Sequence, residues 1–314
     1  MPNDIALLRT SIRTLVLGKD DVIDLLLICL IGRGHLLIED VPGVGKTTLA
    51  LALARSIDGS FQRIQFTSDL LPSDVIGVPV YNAESRNFEF KPGPLFANIV
   101  LADEINRTTP KTQSALLEAM QDGHVTVERT THPLPHPFMV IATQNPTEFH
   151  GTYPLPESQL DRFLMRITMG YPTSDGEFRI LQTKGSRRSE PELRSVLTGE
   201  KVLEMQRAAA ACRVDESVSA YILRIADKTR KTQELELGVS PRGSLSLYRA
   251  AQARAFVEGR DYVSPDDVKK LVVPVLAHRL IVAGRRAANR TSGDARSAAE
   301  EILAEVLAAV EVPV

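Results

Sequence analysis

The chain has 314 residues, 43% of them hydrophobic and 24% charged, an ordinary composition for a folded globular protein. That length exceeds one compact core and suits two domains. Its 37 basic and 39 acidic residues leave a net charge of −2, so no basic excess or stripe marks a duplex-binding surface and nucleic acid is not favoured as the substrate. The most apolar stretch, Val22 to Ile31, contains Asp24 and falls short of the ~20 apolar residues a bilayer crossing needs. Met1 to Thr10 lacks the basic start and apolar block of a signal peptide. Cys29 and Cys212 lie far apart in apolar helical stretches and read as buried thiols rather than a disulfide framework or a zinc site. The expectation is a soluble, cytoplasmic protein with no membrane segment.

In chain order, helical apolar spacing runs near residues 4–16 and 20–31, then gives way to short apolar runs. His35 to Glu39, Gln62 to Phe66, Asn98 to Ala102, Phe138 to Ala142 and Leu164 to Ile167 read as buried strands. Helical stretches such as Thr48–Ile57 and Lys111–Asp122 separate several of them, which implies a mostly parallel sheet covered on both faces. Val78 to Tyr81 with Phe88 to Phe90, and His124 to Glu128 with the proline-rich stretch to Pro137, have the alternation of two hairpins, either extending the sheet or standing free as partner contacts. His124, His132, His136 and His150 are too irregularly spaced to favour a metal site. After Tyr171 the pattern is helical, near 175–184, 200–211, 216–230, 241–257, 265–280 and 297–310. Ser264-Pro265-Asp266-Asp267 is a clear helix start. The expected organisation is an α/β domain over 1–171 and a smaller all-helical domain over 172–314.

Between the first strand and the next helix stands Glu39-Asp40-Val41-Pro42-Gly43-Val44-Gly45-Lys46-Thr47-Thr48, the context a phosphate-binding loop requires. Glycines let the backbone curl until its N–H groups face phosphates, and the helix N-terminus adds positive partial charge. Pro42 to Thr48 are therefore the candidate nucleotide-binding residues, with Lys46 reaching the β- and γ-phosphates and the Thr47 hydroxyl holding Mg²⁺. The strict pattern begins with Gly where this chain has Asp40; Asp tolerates unusual backbone angles better than most residues.

The strand Ile99 to Ala102 ends in Asp103-Glu104, and carboxylates at the end of a buried strand need a partner. Beside a phosphate loop, Asp103 is expected to hold Mg²⁺ and Glu104 to polarise the attacking water. Asn145, which ends the fourth strand, offers an amide that can orient water. Arg162, in Leu160-Asp161-Arg162-Phe163, is the candidate arginine finger for a neighbouring subunit's nucleotide; Arg107 is its rival, and a structural pair with Asp161 or another acid is the alternative. Arg242 lies in a first helical turn behind Ser240-Pro241, where the dipole disfavours a cation and a bound anion would remove the conflict.

With these residues in this order the chain resembles the AAA+ superfamily, matching its Walker A, Walker B, sensor 1, arginine finger and sensor 2 elements. Within it, Phe66-Thr67-Ser68-Asp69-Leu70-Leu71-Pro72-Ser73-Asp74, Gly93-Pro94-Leu95-Phe96-Ala97-Asn98, Asp103-Glu104-Ile105-Asn106-Arg107, Ala142-Thr143-Gln144-Asn145-Pro146 and Leu276-Ala277-His278-Arg279 resemble the MoxR family. The resemblance implies a P-loop AAA+ core followed by a helical lid, ATP and Mg²⁺ as cofactors, and a homo-oligomeric ring of six. It also implies a chaperone-like role on client complexes, often with a von Willebrand factor A domain protein, and makes the two hairpins the helix-2 insert and the pre-sensor-1 hairpin. A magnesium-chelatase-like subunit and a nucleic-acid-directed motor are the alternatives; Arg129 is the only fixed positive charge between Gly123 and Pro137, which weakens the latter. A scaffold that binds nucleotide but barely turns it over is disfavoured by the intact Glu104.

Overall fold

The computed structural model describes residues 2–145, 152–172, 176–178, 181, 193–284 and 292–313. Helices α1 (Pro2–Arg13) and α2 (Asp20–Ile31) lead into β1 (Leu36–Glu39), α3 (Lys46–Ser56) and β2 (Phe61–Gln65). A short α4 (Pro72–Ile76) precedes the pair β3 (Gly77–Asn82) and β4 (Asn87–Pro92), then β5 (Ile99–Asp103) and α5 (Pro110–Asp122). A second pair, β6 (His124–Val127) and β7 (Thr130–Pro133), is followed by β8 (Met139–Gln144), α6 (Glu157–Leu160) and β9 (Met165–Ile167). The later part carries α7 (Gly199–Ala210), α8 (Glu216–Lys231), β10 (Leu235–Leu237), α9 (Pro241–Val257), α10 (Pro265–Leu276), β11 (Ile281–Val282) and α11 (Ser292–Ala309). The helix expected near 175–184 falls mostly outside the described residues.

Five strands form one parallel sheet in the order β2-β5-β8-β1-β9. Side chains alternate across it, as period-2 geometry requires. Leu36 and Ile38, Ile99 and Leu101, and Met139 and Ile141 enter one core, with α1, α2, α3 and the later helices. Leu37, Val100, Ala102, Val140 and Ala142 enter the other, against α5. Both faces are covered, which explains the unbroken apolar runs in the sequence.

The two hairpins stand apart from this sheet, each as its own antiparallel pair, so sheet extension is not their role. They touch each other where Phe90 stacks on His132 with ring centroids 3.9 Å apart. The helical part also contains a small antiparallel pair, β10 with β11, too short to leave a periodic signature. Helix starts follow the expected chemistry: Ser264 and Asp267 form a capping box on α10, and the Ser240 hydroxyl caps α9. Cys29 and Cys212 are both buried, and burial pushes both thiols up from their ordinary value.

His35 pins the start of β1 to its neighbours. Its Nδ1 accepts the Val140 N–H at 3.0 Å, so the neutral ring carries its proton on Nε2 and donates to the Met120 carbonyl at 2.9 Å. Burial pushes its pKa from 6.5 down to about 4, against the pull of the Met120 carbonyl. Below pH 6.5 the unfolded chain therefore binds a proton that the folded chain refuses. Stability is flat above that pH and falls as the pH drops toward 4, by about 3 kcal/mol in all. Urea titrations at about pH 7 and about pH 4 are expected to show that extra loss in the wild type relative to His35→Gln, whose amide offers an acceptor and a donor without titrating. Equal losses would show that His35 is not the group responsible.

Candidate nucleotide site

The carboxyl ends of β1, β5 and β8 lie side by side, since β8 pairs with both of the others and Glu39 stands opposite Gln144. Open parallel sheets bind ligands at this edge, where the strand order reverses. Here the chain leaves β1 through Asp40 to Gly45 and enters α3 at Lys46. Gly43 and Gly45 take φ of +85° and +98°, angles that glycine adopts without strain. A Cβ on Gly43 would meet nothing within 4 Å, so that face of the loop is open. Gly45 caps α3 without a side chain, leaving the first-turn amides with no side-chain acceptor at the cap. The Lys46 ammonium donates to the Asp40 carbonyl at 2.7 Å, across the loop.

Asp40, the departure from the strict glycine pattern, has a distinct structural task. Its Oδ2 accepts the N–H groups of Met169 and Gly170 at 2.7 and 2.6 Å, and its Oδ1 accepts that of Val41 at 2.8 Å. A buried carboxylate thus staples the phosphate loop to the segment after β9. Asp40→Gly, which restores the strict pattern, leaves those amides without their acceptor. It is expected to lower stability by about 2–4 kcal/mol in denaturant unfolding. Unchanged stability would mean that water replaces the carboxylate.

Asp103 ends β5, and Glu104 follows it in left-handed backbone, φ 58° and ψ 49°. That conformation costs a non-glycine residue about 1–2 kcal/mol. Thr143 on β8 helps to hold it: its hydroxyl accepts the Glu104 N–H at 2.9 Å and donates to Asp103 Oδ1 at 2.6 Å. Arg63 and Gln65, two residues apart on β2 and so on one face, reach the same acids. Arg63 pairs with Asp103 Oδ2 at 2.6 Å, and the Gln65 amide donates to Glu104 Oε2 at 2.8 Å. Arg107 is 3.2 Å from the same Glu104 oxygen, so it faces its own chain's acid. None of Arg63, Gln65 and Thr143 stands out in the sequence, because a polar residue on an edge strand or before a turn has many uses.

Asn145 is buried at the end of β8, between the phosphate loop and the acids. Arg162 follows α6 and donates from Nη1 to the Leu117 carbonyl at 2.7 Å, while its buried Nε has no hydrogen-bond partner among the described residues. Asp161 pairs not with Arg162 but with Arg279, at 2.7 Å. Arg242, half exposed in the first turn of α9, comes within 3.9 Å of Asp161 Oδ2. Lys46, Thr47, Asp103, Glu104 and Asn145 therefore gather at one sheet edge, whereas Arg242 approaches Asp161 and the Arg162 guanidinium is held on Leu117. Among the described residues no group of three or more His, Cys, Asp or Glu could hold a metal ion. A divalent cation at Thr47 and Asp103 would need phosphate oxygens to complete its shell, as Mg²⁺ does in nucleotide sites.

An open glycine loop on a helix N-terminus, paired acids at the end of β5 one strand removed from β1, and a helical second part together define a P-loop AAA+ module. Residues 35–165 match the model of the ATPase family associated with various cellular activities, and residues 227–305 match the AAA lid domain. The chain is 50% identical to the uncharacterised protein YeaC of Bacillus subtilis, over 96% of this chain and 93% of that one. It is 42% identical to the chaperone MoxR1 of Mycobacterium tuberculosis, over 87% of this chain and 74% of that protein. A solved structure of a candidate ATPase from Cytophaga hutchinsonii superposes with a TM-score of 0.90 at 38% identity, covering 100% of this chain and 96% of the other. The chain belongs to the MoxR family of AAA+ ATPases. Among the described residues, no helix is long and apolar enough to cross a membrane.

Proposed function

We propose that this protein binds ATP with Mg²⁺ and hydrolyses it in a ring of identical subunits, at sites each completed by two chains, and that the ring remodels or activates protein complexes in the cytoplasm.

ATP would lie on Pro42 to Thr48, with Lys46 facing the β- and γ-phosphates and Thr47 and Asp103 holding the ion. Glu104 would accept a proton from the attacking water, and Asn145 would orient that water. Arg242 would meet the nucleotide of its own subunit and Arg162 that of the next. The observation that carries this reading is the shared edge of β1, β5 and β8, which sets the glycine loop, both acids and Asn145 around one space.

A division near residue 171, with the α/β core before it and the helical lid after it, fits the end of the parallel sheet at β9. A ring of six and a von Willebrand factor A domain partner are the family's expectations, and the chaperone role leans on the name of the Mycobacterium relative. The test is a pull-down with Glu104→Gln in the presence of ATP, which holds rings in the loaded state. Clients that are retained with ATP and lost without nucleotide are the expected result. Identical captures under both conditions would contradict ATP-driven remodelling.

A further inference from the structure

Two cationic side chains with different targets converge on one carboxylate. Asp161 immediately precedes Arg162, so its position fixes the turn that carries the finger. Its Oδ1 is committed to the buried Arg279, whose Nε lies 2.7 Å away. Arg279 also donates to the carbonyls of Asp161 at 3.3 Å and Phe163 at 2.7 Å, gripping the turn on both sides of Arg162. A further bond, to the Ser246 hydroxyl at 3.2 Å, ties the same guanidinium to α9. Gly243 leaves room for this clamp: a Cβ there would stand 3.2 Å from Arg279 Cδ and 2.9 Å from Val239 Cγ1.

The other oxygen of Asp161 is held loosely. Oδ2 takes the Ser240 hydroxyl at 3.4 Å and lies 3.9 Å from the Arg242 Nε. Arg242 is half exposed, and its long side chain can exchange this acid for a stronger anion. Arg162 meanwhile is turned inward onto Leu117.

We infer that Asp161 is a positioning residue that couples Arg242 to Arg162, so that nucleotide binding in one subunit sets the finger offered to the next. This rests on the roles given above to Arg162 and Arg242. When a triphosphate draws Arg242 away, Asp161 Oδ2 keeps only the long Ser240 contact. The Asp161–Arg162 turn is then held from the Arg279 side alone, and the finger can leave Leu117 for the neighbouring site. An empty subunit keeps Arg242 near Asp161 and its finger inward.

Mixed rings test the coupling without touching the clamp. Acceptor subunits carry Arg162→Ala, so their sites are intact and need a donor's finger. Donor subunits keep Arg162 and are silent in one of two ways: Lys46→Ala leaves them empty, and Glu104→Gln leaves them loaded with ATP. Hydrolysis then comes only from acceptor sites served by donor fingers, and it is compared at equal mixed-ring content measured by native mass spectrometry. The loaded donor is expected to support hydrolysis at least about fivefold faster than the empty donor, and Arg242→Ala added to both donors is expected to bring them within about twofold. A ratio that survives Arg242→Ala, or equal rates with the two original donors, overturns the coupling while leaving the finger intact. No hydrolysis with either donor overturns the finger itself, and the coupling with it. Asp161→Asn in the donors is expected to collapse the ratio as well. Because that change removes the counter-charge of buried Arg279, the Arg242→Ala arm decides the matter if the Asp161 variant does not fold.

Discussion

Lys46→Ala is expected to weaken ATP binding by roughly 30-fold or more, the loss of about 2–3 kcal/mol that follows when a charge-assisted contact to phosphate is removed. The side chain starts the helix on the open glycine loop and spans that loop to the Asp40 carbonyl, so its removal leaves the backbone path of the loop in place. Glu104→Gln is expected to separate binding from chemistry. The amide oxygen still accepts from Gln65 and Arg107, which now approach Glu104 at 2.8 and 3.2 Å, so the local structure survives. What disappears is the group proposed to take the proton of the attacking water, with an expected loss of about 10²–10⁴ in turnover. Nucleotide affinity by calorimetry and phosphate release measure the two effects on the same protein samples. Wild-type affinity in Lys46→Ala would remove the phosphate-loop assignment, and wild-type turnover in Glu104→Gln would move the base elsewhere.

Arg162→Ala is expected to bind ATP normally and to lose about 10³ in single-turnover rate, the scale of a missing arginine finger. The Arg162 guanidinium is held on the Leu117 carbonyl, in the second half of α5, and not on Glu104 or Asp103. Arg107, by contrast, already lies against Glu104 of its own chain, which makes it the weaker candidate for a contact to a neighbour. A rate for Arg162→Ala within about twofold of wild type, against that ~10³ expectation, would end the finger role and turn attention to Arg107.

The parallel sheet was legible because its inner strands β5, β8 and β1 are buried on both faces and read as apolar runs between helices, whereas edge strand β2 keeps only Ile64 buried. The phosphate loop, Asp103-Glu104 and the Ser240 and Ser264 caps were legible because each needs a particular residue type at a fixed offset from an element's end. What the sequence did not disclose are contacts between residues far apart in the chain. Arg63 reaches Asp103 across 40 positions, and Arg279 reaches Asp161 across 118. Arg279 was visible only as part of a family-like string, with nothing local to say that it is buried against the turn that carries Asp161 and Arg162. Asp40 appeared as a tolerated irregularity, whereas its carboxylate joins two loops that the pairing of β1 with β9 brings side by side. The short β10 and β11 were missed for a different reason: two or three residues are too few to establish a period.

The central claim is that ATP is hydrolysed at sites built from two chains, and subunit mixing tests it most directly. Arg162→Ala and Glu104→Gln are each expected to be inactive alone, one lacking the finger and the other the base. Combined in rings whose subunits exchange, they create interfaces that pair an intact Glu104 with an intact Arg162 from the adjacent chain. Hydrolysis that reappears on mixing, and peaks at intermediate ratios, is the predicted result. Mixed rings that form but stay inactive at every ratio would contradict the account.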